Sequence, residues 1–476
     1  MAQVIAVDLG AESGRVTRID FDGDKLRLDE IHRFPNTPVQ VGGTLHWDVI
    51  GLWRDIVAGI EKAGTGAVGI GVDAWGVDYA LLDRDGKLLG NPVHYRDRRT
   101  DGMYDWVFAR VPRREVFERS GIQFMIINTL YQLASMAATN SAQLEAAATY
   151  LAVPDLFNYW LTGEKVCEFT HATTTQFYNP RAGDWDRQML GQLGIPAEIF
   201  GRIVQPGTRI GAYQGIPVFA PASHDTGSAV VAVPTLMQDY AYLSSGTWSL
   251  IGLELNAPVI NDESYAANVT NEGGVYETFR LLKNVMGLWI AQQCRATWRS
   301  QGTEYSYDDL TKLASEAKPF RSLVDPDDPA FLPPGDMPSR IREFCKRTGQ
   351  PIPETVGEVM RTVYESLALK YRHALENMMS LSGRKVDRLH IIGGGTQNRL
   401  LCQMTADALD RTVVAGPVEA TALGNGIVQL ISLGEIKDVA QAREVVSRSV
   451  ATETYMPTNR AAWDEAFERF QGWVGV

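Results

Sequence analysis

The first thirty-odd residues alternate short apolar runs with glycine and aspartate turns: Val4 to Leu9, Gly10 to Gly14, Val16 to Phe21, then Gly23 and a third alternating run toward Phe34. Apolar alternation with a period of two, bounded by turn residues, predicts an antiparallel sheet edge built from consecutive hairpins. The stretch YAYLSSGTWSLIGLEL, within Asp239 to Leu255, repeats the plan of strand, Ser/Gly/Thr turn and strand. Two such units in one chain predict two related domains. Ala67 to Asp73 and Ile216 to Pro221 read as further strands, and the domain boundary is placed after Val233, giving domains 1–233 and 234–476. Asp325 to Pro338, rich in Pro and Asp and without a period, reads as a surface excursion.

The C-terminal part carries the clearest helix. Thr355 and Glu358 have capping-box spacing, Val356, Val359, Met360, Val363, Leu367, Ala374 and Met378 recur at helical spacing, and Gly383 stops it. A strand from Arg388 to Ile392 then runs into Gly393-Gly394-Gly395, a helix spans about Gln397 to Leu409, a strand spans Thr412 to Ala415, and a last helix ends at Gly434. Such alternation is an α/β layer.

Charge and cysteine content narrow the function. Lys and Arg number 45 against 57 Asp and Glu, so the formal balance is −12. That disfavours nonspecific attraction to polyanions, and no basic tract is present to release counterions from a nucleic acid. An acidic protein that binds an anion must do so with backbone amides, glycine turns and a divalent cation. Cys167, Cys294, Cys345 and Cys402 are scattered, with no CxxC pair, and no apolar run approaches the roughly 18–20 residues of a membrane span. The expected location is the cytoplasm.

Five segments could carry chemistry. DLGAESGR (Asp8 to Arg15) puts a carboxylate at a strand end before a glycine-bearing turn, where backbone amides can approach phosphate and the acid can hold a hydrated magnesium ion; read alone, it is as well a plain hairpin. SSGTWS (Ser244 to Ser249) is a second such hairpin, and HIIGGGTQN (His390 to Asn398) offers a glycine turn for an adenosine rather than a dinucleotide fingerprint. ASHDTGSA (Ala222 to Ala229) places Asp225 just past a strand end among small and hydrogen-bonding residues, where it could take the proton of a sugar hydroxyl attacking phosphorus or simply cap a turn. DAWGVDYALLD (Asp73 to Asp83) reads as a strand mixing acids and aromatics: Asp73 and Asp78 for sugar hydroxyls, Trp75 and Tyr79 for a wall, or else core aromatics with exposed acids. YRDRRT (Tyr95 to Thr100) could hold those acids in ion pairs, and Asn284 and Gln292 in KNVMGLWIAQQ are further amide candidates.

Taken in order, DLGAESGR, DAWGVDYALLD, YRDRRT, SGIQF, NTLYQL, ATTTQFYNP, ASHDTGSAV, YLSSGTWSLIG, NEGG, LLKNVMGLW, HIIGGGTQN and AGPVEATALGN resemble the FGGY carbohydrate kinases from the N-terminus to about Gly426. The resemblance implies an α/β fold of two ribonuclease H-like, actin-like ATPase domains around a deep cleft. It also implies ATP and Mg2+ as cofactors, a small ketose as substrate, and a homodimer. The expected reaction is phosphorylation of the primary hydroxyl of L-rhamnulose, with L-fuculose or L-xylulose as rival acceptors. A nucleotide- or sugar-sensing protein without kinase activity is the rival from another class, and a dehydrogenase rests on the glycine triplet alone. By the same resemblance Asp225 is the proton acceptor, and Asp8 organises magnesium through water. Ala11, Glu12, Ser13, Gly14, Arg15, Thr247, Gln292 and Gly394 contact the nucleotide, and Gly76, His224, Asp225, Thr226 and Asn284 contact the sugar. Many family members have hydroxyl residues through the first turn; here Ala11 and Glu12 precede Ser13, so Glu12 must point outward or pair with Arg15. Trp75, Tyr79, Phe124 and Trp289 are the candidates for a wall against a deoxy-sugar methyl group.

Overall fold

The computed structural model describes residues 2–474. It divides into two compact units: Met1–Leu236 with Glu254–Leu281 and Glu419–Val450, and Met237–Leu253 with Leu282–Val418 and Ala451–Val476.

The first unit is built on a six-stranded sheet. Its strands are β1 (Ala2–Leu9), β2 (Ser13–Phe21), β3 (Leu26–Pro35), β4 (Gly69–Ala74), β5 (Arg209–Tyr213) and β6 (Ile216–Phe219), in the order β5-β6-β4-β1-β2-β3. The alternating N-terminal runs form the expected hairpins, β1 antiparallel to β2 and β2 to β3. β4 joins β1 in parallel, which aligns Asp8 with Asp73. Val4 to Val7 on β1 are fully buried, as a central strand covered on both faces requires. The helix Val49–Ala63, capped by Asp48, lays Leu52, Ile56 and Ile60 toward the sheet. The helix Ala420–Ser432 also returns to it: Gln429 Nε2 donates to Ile5 O at 3.0 Å and Asn425 Nδ2 to Gly71 O at 3.2 Å. This helix approaches Asp225–Val231 so closely that a Cβ at Gly424 would lie 1.7 Å from Ser228 O; only glycine fits there.

The second unit repeats the central plan. Its β7 (Tyr240–Ser245) pairs antiparallel with β8 (Trp248–Leu255) and parallel with β9 (Arg388–Ile392). β10 (Thr412–Ala415) follows β9 in parallel, and β11 (Glu453–Tyr455) closes antiparallel to β10. The long helix Val356–Ser382 starts on the expected capping box of Thr355 and Glu358 and stops at Gly383, and its apolar positions from Val359 to Met378 are buried.

Two expectations change. Asp325 to Pro338 is not a surface excursion: Phe331 and Met337 are fully buried, and Asp325 and Asp327 lie 2.7 and 3.0 Å from the buried Lys370 ammonium. A buried cation needs such partners, and it draws inward a segment with no apolar period. Asp73 to Asp83 is not one strand either. β4 ends at Ala74 and a separate strand runs from Tyr79 to Leu82. The turn between them sets Val77 at φ 70°, a left-handed conformation rare for a β-branched residue. The Val77 carbonyl accepts from Thr129 Oγ1 at 2.7 Å, which helps hold that turn. Among the described residues no helix is long and apolar enough to cross a membrane.

Candidate active site

In the first unit, the strand pairing brings two carboxylates to one end of the sheet. Asp8 faces Arg15 across the hairpin and Asp73 across the parallel pair. Arg15 Nε lies 3.3 Å from Asp8 Oδ2, and the same guanidinium pairs with Glu419. Burial pushes the Asp8 carboxyl up to about 6; Arg15 opposes this, and Asp225 and Glu419 add to it. Asp73, fully buried, is held well above the usual range by burial and then by Asp8, although Asn425 Nδ2 donates to its Oδ2 at 2.5 Å. Its Oδ1 has no hydrogen-bond partner. Glu12 is exposed, and the carboxylates paired with Arg15 are Asp8 and Glu419. The turn itself is fixed by its own backbone, Gly10 N to Ser13 O at 3.0 Å, and by Asn36 Nδ2 to Gly10 O at 2.9 Å, with Ala11 and Ser13 half-buried and Gly14 buried.

Beyond β6 the chain runs through a buried loop to His224 and enters the helix Asp225–Val231, with Asp225 as its first residue. The Asp225 side chain is 31% exposed; its Oδ1 accepts from Thr226 N at 2.5 Å and Thr226 Oγ1 at 3.2 Å, and lies 3.4 Å from His224 Nε2. Gly76 faces the His224 ring, where a Cβ would come within 3.1 Å of Nε2.

Glu168 was not foreseen from the sequence. This fully buried carboxylate accepts from Ser223 N at 3.0 Å, Ser223 Oγ at 2.7 Å, Thr170 N at 2.9 Å, Thr170 Oγ1 at 2.5 Å and His171 N at 3.2 Å. Thr170 Oγ1 in turn accepts from His224 N at 3.1 Å. One acid thus clamps the backbone that delivers Asp225. Burial raises its pKa while these donors oppose the rise. Its sequence setting, CEFTHATTTQ, carries no pattern that would have singled it out, because its donors lie up to 55 residues away.

The acids and aromatics of Asp73 to Asp83 part company. Asp78 is fully buried: Oδ2 accepts from Trp47 Nε1 at 2.5 Å, Trp75 Nε1 at 3.0 Å and Tyr95 N at 3.3 Å, while Oδ1 accepts from Gln132 Nε2 at 2.9 Å. Its oxygens organise the protein, and burial lifts its pKa to about 6 against those donors. The expected ion pair with YRDRRT is replaced by a relay, since Arg99 Nη2 donates to Gln132 Oε1 at 2.6 Å. Trp75 stays beside Gly76 and packs against Trp47 at 4.2 Å between ring centroids, the rings tilted by 40°. Tyr79 and Phe124 belong to a hydrophobic core with Phe117, Tyr131 and Tyr150, so they form no wall for a sugar.

In the second unit, the turn after β7 carries Thr247. Leu288 N donates to Gly246 O at 3.0 Å and Trp289 N to Thr247 O at 3.1 Å, which brings the following helix, Trp289–Ser300, to the turn. Gln292 Nε2 then lies 3.4 Å from Thr247 Oγ1. The glycine triplet meets the same strand end, where a Cβ at Gly395 would fall 2.0 Å from Ser245 Oγ, while Gly394 has open space on its Cβ side. Thr247, Gln292 and Gly394 are therefore gathered about one end of this unit's sheet. Trp289 Nε1 donates to Phe331 O at 3.1 Å, and Asn284 is half-buried in the strand Phe279–Met286.

Residues 3–229 match the N-terminal domain, and residues 241–433 the C-terminal domain, of the FGGY family of carbohydrate kinases. A rhamnulokinase of Bacteroides thetaiotaomicron is 47% identical over 98% of this chain and 99% of its own length; one of Pectobacterium atrosepticum is 42% identical over 98% and 96%. Among solved structures, a ligand-bound xylulose kinase of Lactobacillus acidophilus superposes with a TM-score of 0.82 at 17% identity, covering 99% of this chain and 97% of the other. A xylulose kinase of Rhodospirillum rubrum gives 0.78 at 20% identity, covering 99% and 98%, so the two share the fold.

Proposed function

Because the chain belongs to the FGGY family of carbohydrate kinases, we propose that it transfers the γ-phosphoryl group of ATP to the primary 1-hydroxyl of L-rhamnulose, giving L-rhamnulose 1-phosphate for L-rhamnose catabolism in the cytoplasm. The substrate is supported by the two relatives named rhamnulokinase, which align over nearly the whole chain. The chemistry is carried by one observation: Asp225 stands partly exposed at the start of a helix, on a loop clamped from behind by Glu168, beside His224.

In this reading Asp225 accepts the proton of the attacking hydroxyl, and His224, Thr226, Gly76 and Asn284 orient the sugar. Residues 1–233 supply the sugar side and the first phosphate turn, through Ala11 to Arg15, where Glu12 contributes backbone only. Residues 234–476 supply the nucleotide side, through Thr247, Gln292 and Gly394, together with Asn284 for the sugar. This end of the first sheet fits a divalent cation in one respect: beside Asp8, the buried Asp73 Oδ1 is without a partner. In this reading Asp8 would hold Mg2+ through water. The ion would neutralise charge on the transferring phosphoryl group.

Coupled ADP release with magnesium-ATP tests this against L-rhamnulose, L-fuculose, L-xylulose, D-xylulose, D-ribulose and glycerol. Preference for L-rhamnulose is expected. A single methyl in an apolar pocket discriminates by only about 1–3 kcal/mol, so some turnover of the other ketoses is expected as well. Preference for another ketose would move the substrate, and stimulation by none would sink the kinase reading.

A further inference from the structure

His224 presents its two ring nitrogens to different partners. Nε2 lies 3.4 Å from Asp225 Oδ1 and against the open Cα of Gly76. Nδ1 lies 3.1 Å from Arg280 Nη2 in hydrogen-bond geometry, and 3.3 Å from Glu272 Oε2. Arg280 is fully buried; its Nη2 also reaches Glu272 Oε2 at 3.1 Å, and its Nε donates to Gly273 O at 2.9 Å. The His171 ring stands edge-on to His224 at 6.2 Å between centroids, with its own Nε2 donating to Trp75 O at 3.1 Å.

A guanidinium has donors only. A hydrogen bond between Arg280 Nη2 and His224 Nδ1 therefore requires a lone pair on Nδ1, which leaves the ring proton on Nε2, the nitrogen that faces Asp225. Glu272 Oε2 accepts from the same Nη2 at 3.1 Å and lies 3.3 Å from Nδ1, so it is the acceptor that a proton on Nδ1 would use in place of the bond from Arg280. Fold stability alone gives little reason for the pair, because buried ion pairs are commonly no better than apolar residues of the same volume. Arg280 Nη1, moreover, has no hydrogen-bond partner, a feature that calls for an explanation in a buried charged group.

We propose that Arg280 is a positioning residue: by donating to His224 Nδ1 it fixes the imidazole in the tautomer protonated at Nε2, which turns an N–H toward Asp225 and the acceptor hydroxyl. The N–H orients the Asp225 carboxylate while leaving its second oxygen for the sugar proton. A ring protonated at Nδ1 alone would instead set a bare nitrogen lone pair against that carboxylate. The catalytic consequence rests on the reading of Asp225 as the base; the tautomer does not.

The test is the 15N spectrum of the full chain with labelled histidine, with His224 assigned through the signals lost in His224→Gln. In the wild type we expect a lone-pair Nδ1 and a protonated Nε2 for this ring. A protonated Nδ1 with a bare Nε2 overturns the proposal, and this measurement needs no folded Arg280 variant. In Arg280→Met, folded as judged by the remaining histidine signals, the proton should move to Nδ1 to meet Glu272, and kcat should fall at least tenfold with the KM for ATP unchanged. An unaltered ring and unaltered kcat in that variant overturn it. The expected tautomer without any sugar-stimulated ADP release would support the assignment and overturn the kinase reading instead.

Discussion

The hairpins of the two units share one backbone plan and carry opposite chemistry. β1 is antiparallel to β2 and parallel to β4; β7 is antiparallel to β8 and parallel to β9. At the strand end where the first sheet sets Asp8 against Arg15 and Asp73, the second sets Ser244 against Leu250 and Ile392. Around the first turn stand Asp8, Arg15, Asp73 and Glu419, whereas around the second stand Ser245, Thr247, Gln292 and the Ser249–Tyr371 hydroxyl pair at 2.7 Å. The same frame thus carries two different sets of side chains. The first hairpin concentrates charge, which in the proposed reading serves proton transfer and cation binding. The second offers hydroxyls, amides and backbone, which can hold a nucleotide without another buried carboxylate to repel it.

The largest expected effect tests the charged half. Asp225→Asn keeps an oxygen to accept from Thr226 N but removes the basicity, so kcat should fall by about 10² to 10⁴-fold while both substrates still bind, as calorimetry would show. Near-wild-type turnover would leave the first unit's acids without the role that sets them apart.

A second difference lies in how the two units keep buried acids. In the first, Asp78 is lifted to about 6 by burial. In the second, Asp327 is also penalised by burial but ends below its ordinary value because Lys370 and Lys283 stand beside it. A carboxyl with a folded pKa above its unfolded one binds more protons in the native state. Its stabilising share is complete below about pH 3.8 and is lost as pH rises through about 6. The shift of roughly 2 units corresponds to about 3 kcal/mol. The stability gap between wild type and Asp78→Asn, from urea unfolding, should therefore shrink by that order between pH 4 and pH 7.5. A gap independent of pH would show that the donors from Trp47, Trp75 and Gln132 keep Asp78 ionised throughout.

The hairpins, the long capped helix and the strands Arg388–Ile392 and Thr412–Ala415 were legible because local period and turn chemistry decide them. Asp8, Arg15 and Asp225 could be singled out as candidates because short motifs carry them, and the structure brings Asp8 and Arg15 together. Glu168 and Arg280 were not, since each acts on a residue 55 or 56 positions away and nothing in its own segment marks it; Glu272 lies in the quoted NEGG segment, but its reach to His224 does not show there. Asp78 was misread for a related reason: a carboxylate beside aromatics looks ready for a ligand until the two indole N–H groups that occupy it are seen. The return of Glu419–Val450 to the first unit was equally hidden, because the helix Ala420–Ser432 declares its partner only through Gly424, Asn425 and Gln429.

The smallest expected effect sharpens the neutral half. Thr247→Val keeps the shape of the second turn and deletes the hydroxyl that faces Gln292 Nε2 at 3.4 Å. If that hydroxyl bonds the nucleotide equally in ground and transition states, its loss should cost about 1 kcal/mol, seen as a KM for ATP raised about fivefold with kcat and the sugar KM unchanged. Added salt should alter this difference little, because no charge is removed. A fall in kcat at constant KM would mean instead that Thr247 strengthens its contact only in the transition state. The second hairpin would then share in the chemistry, and the division between a charged half that reacts and a neutral half that holds would fail at that residue.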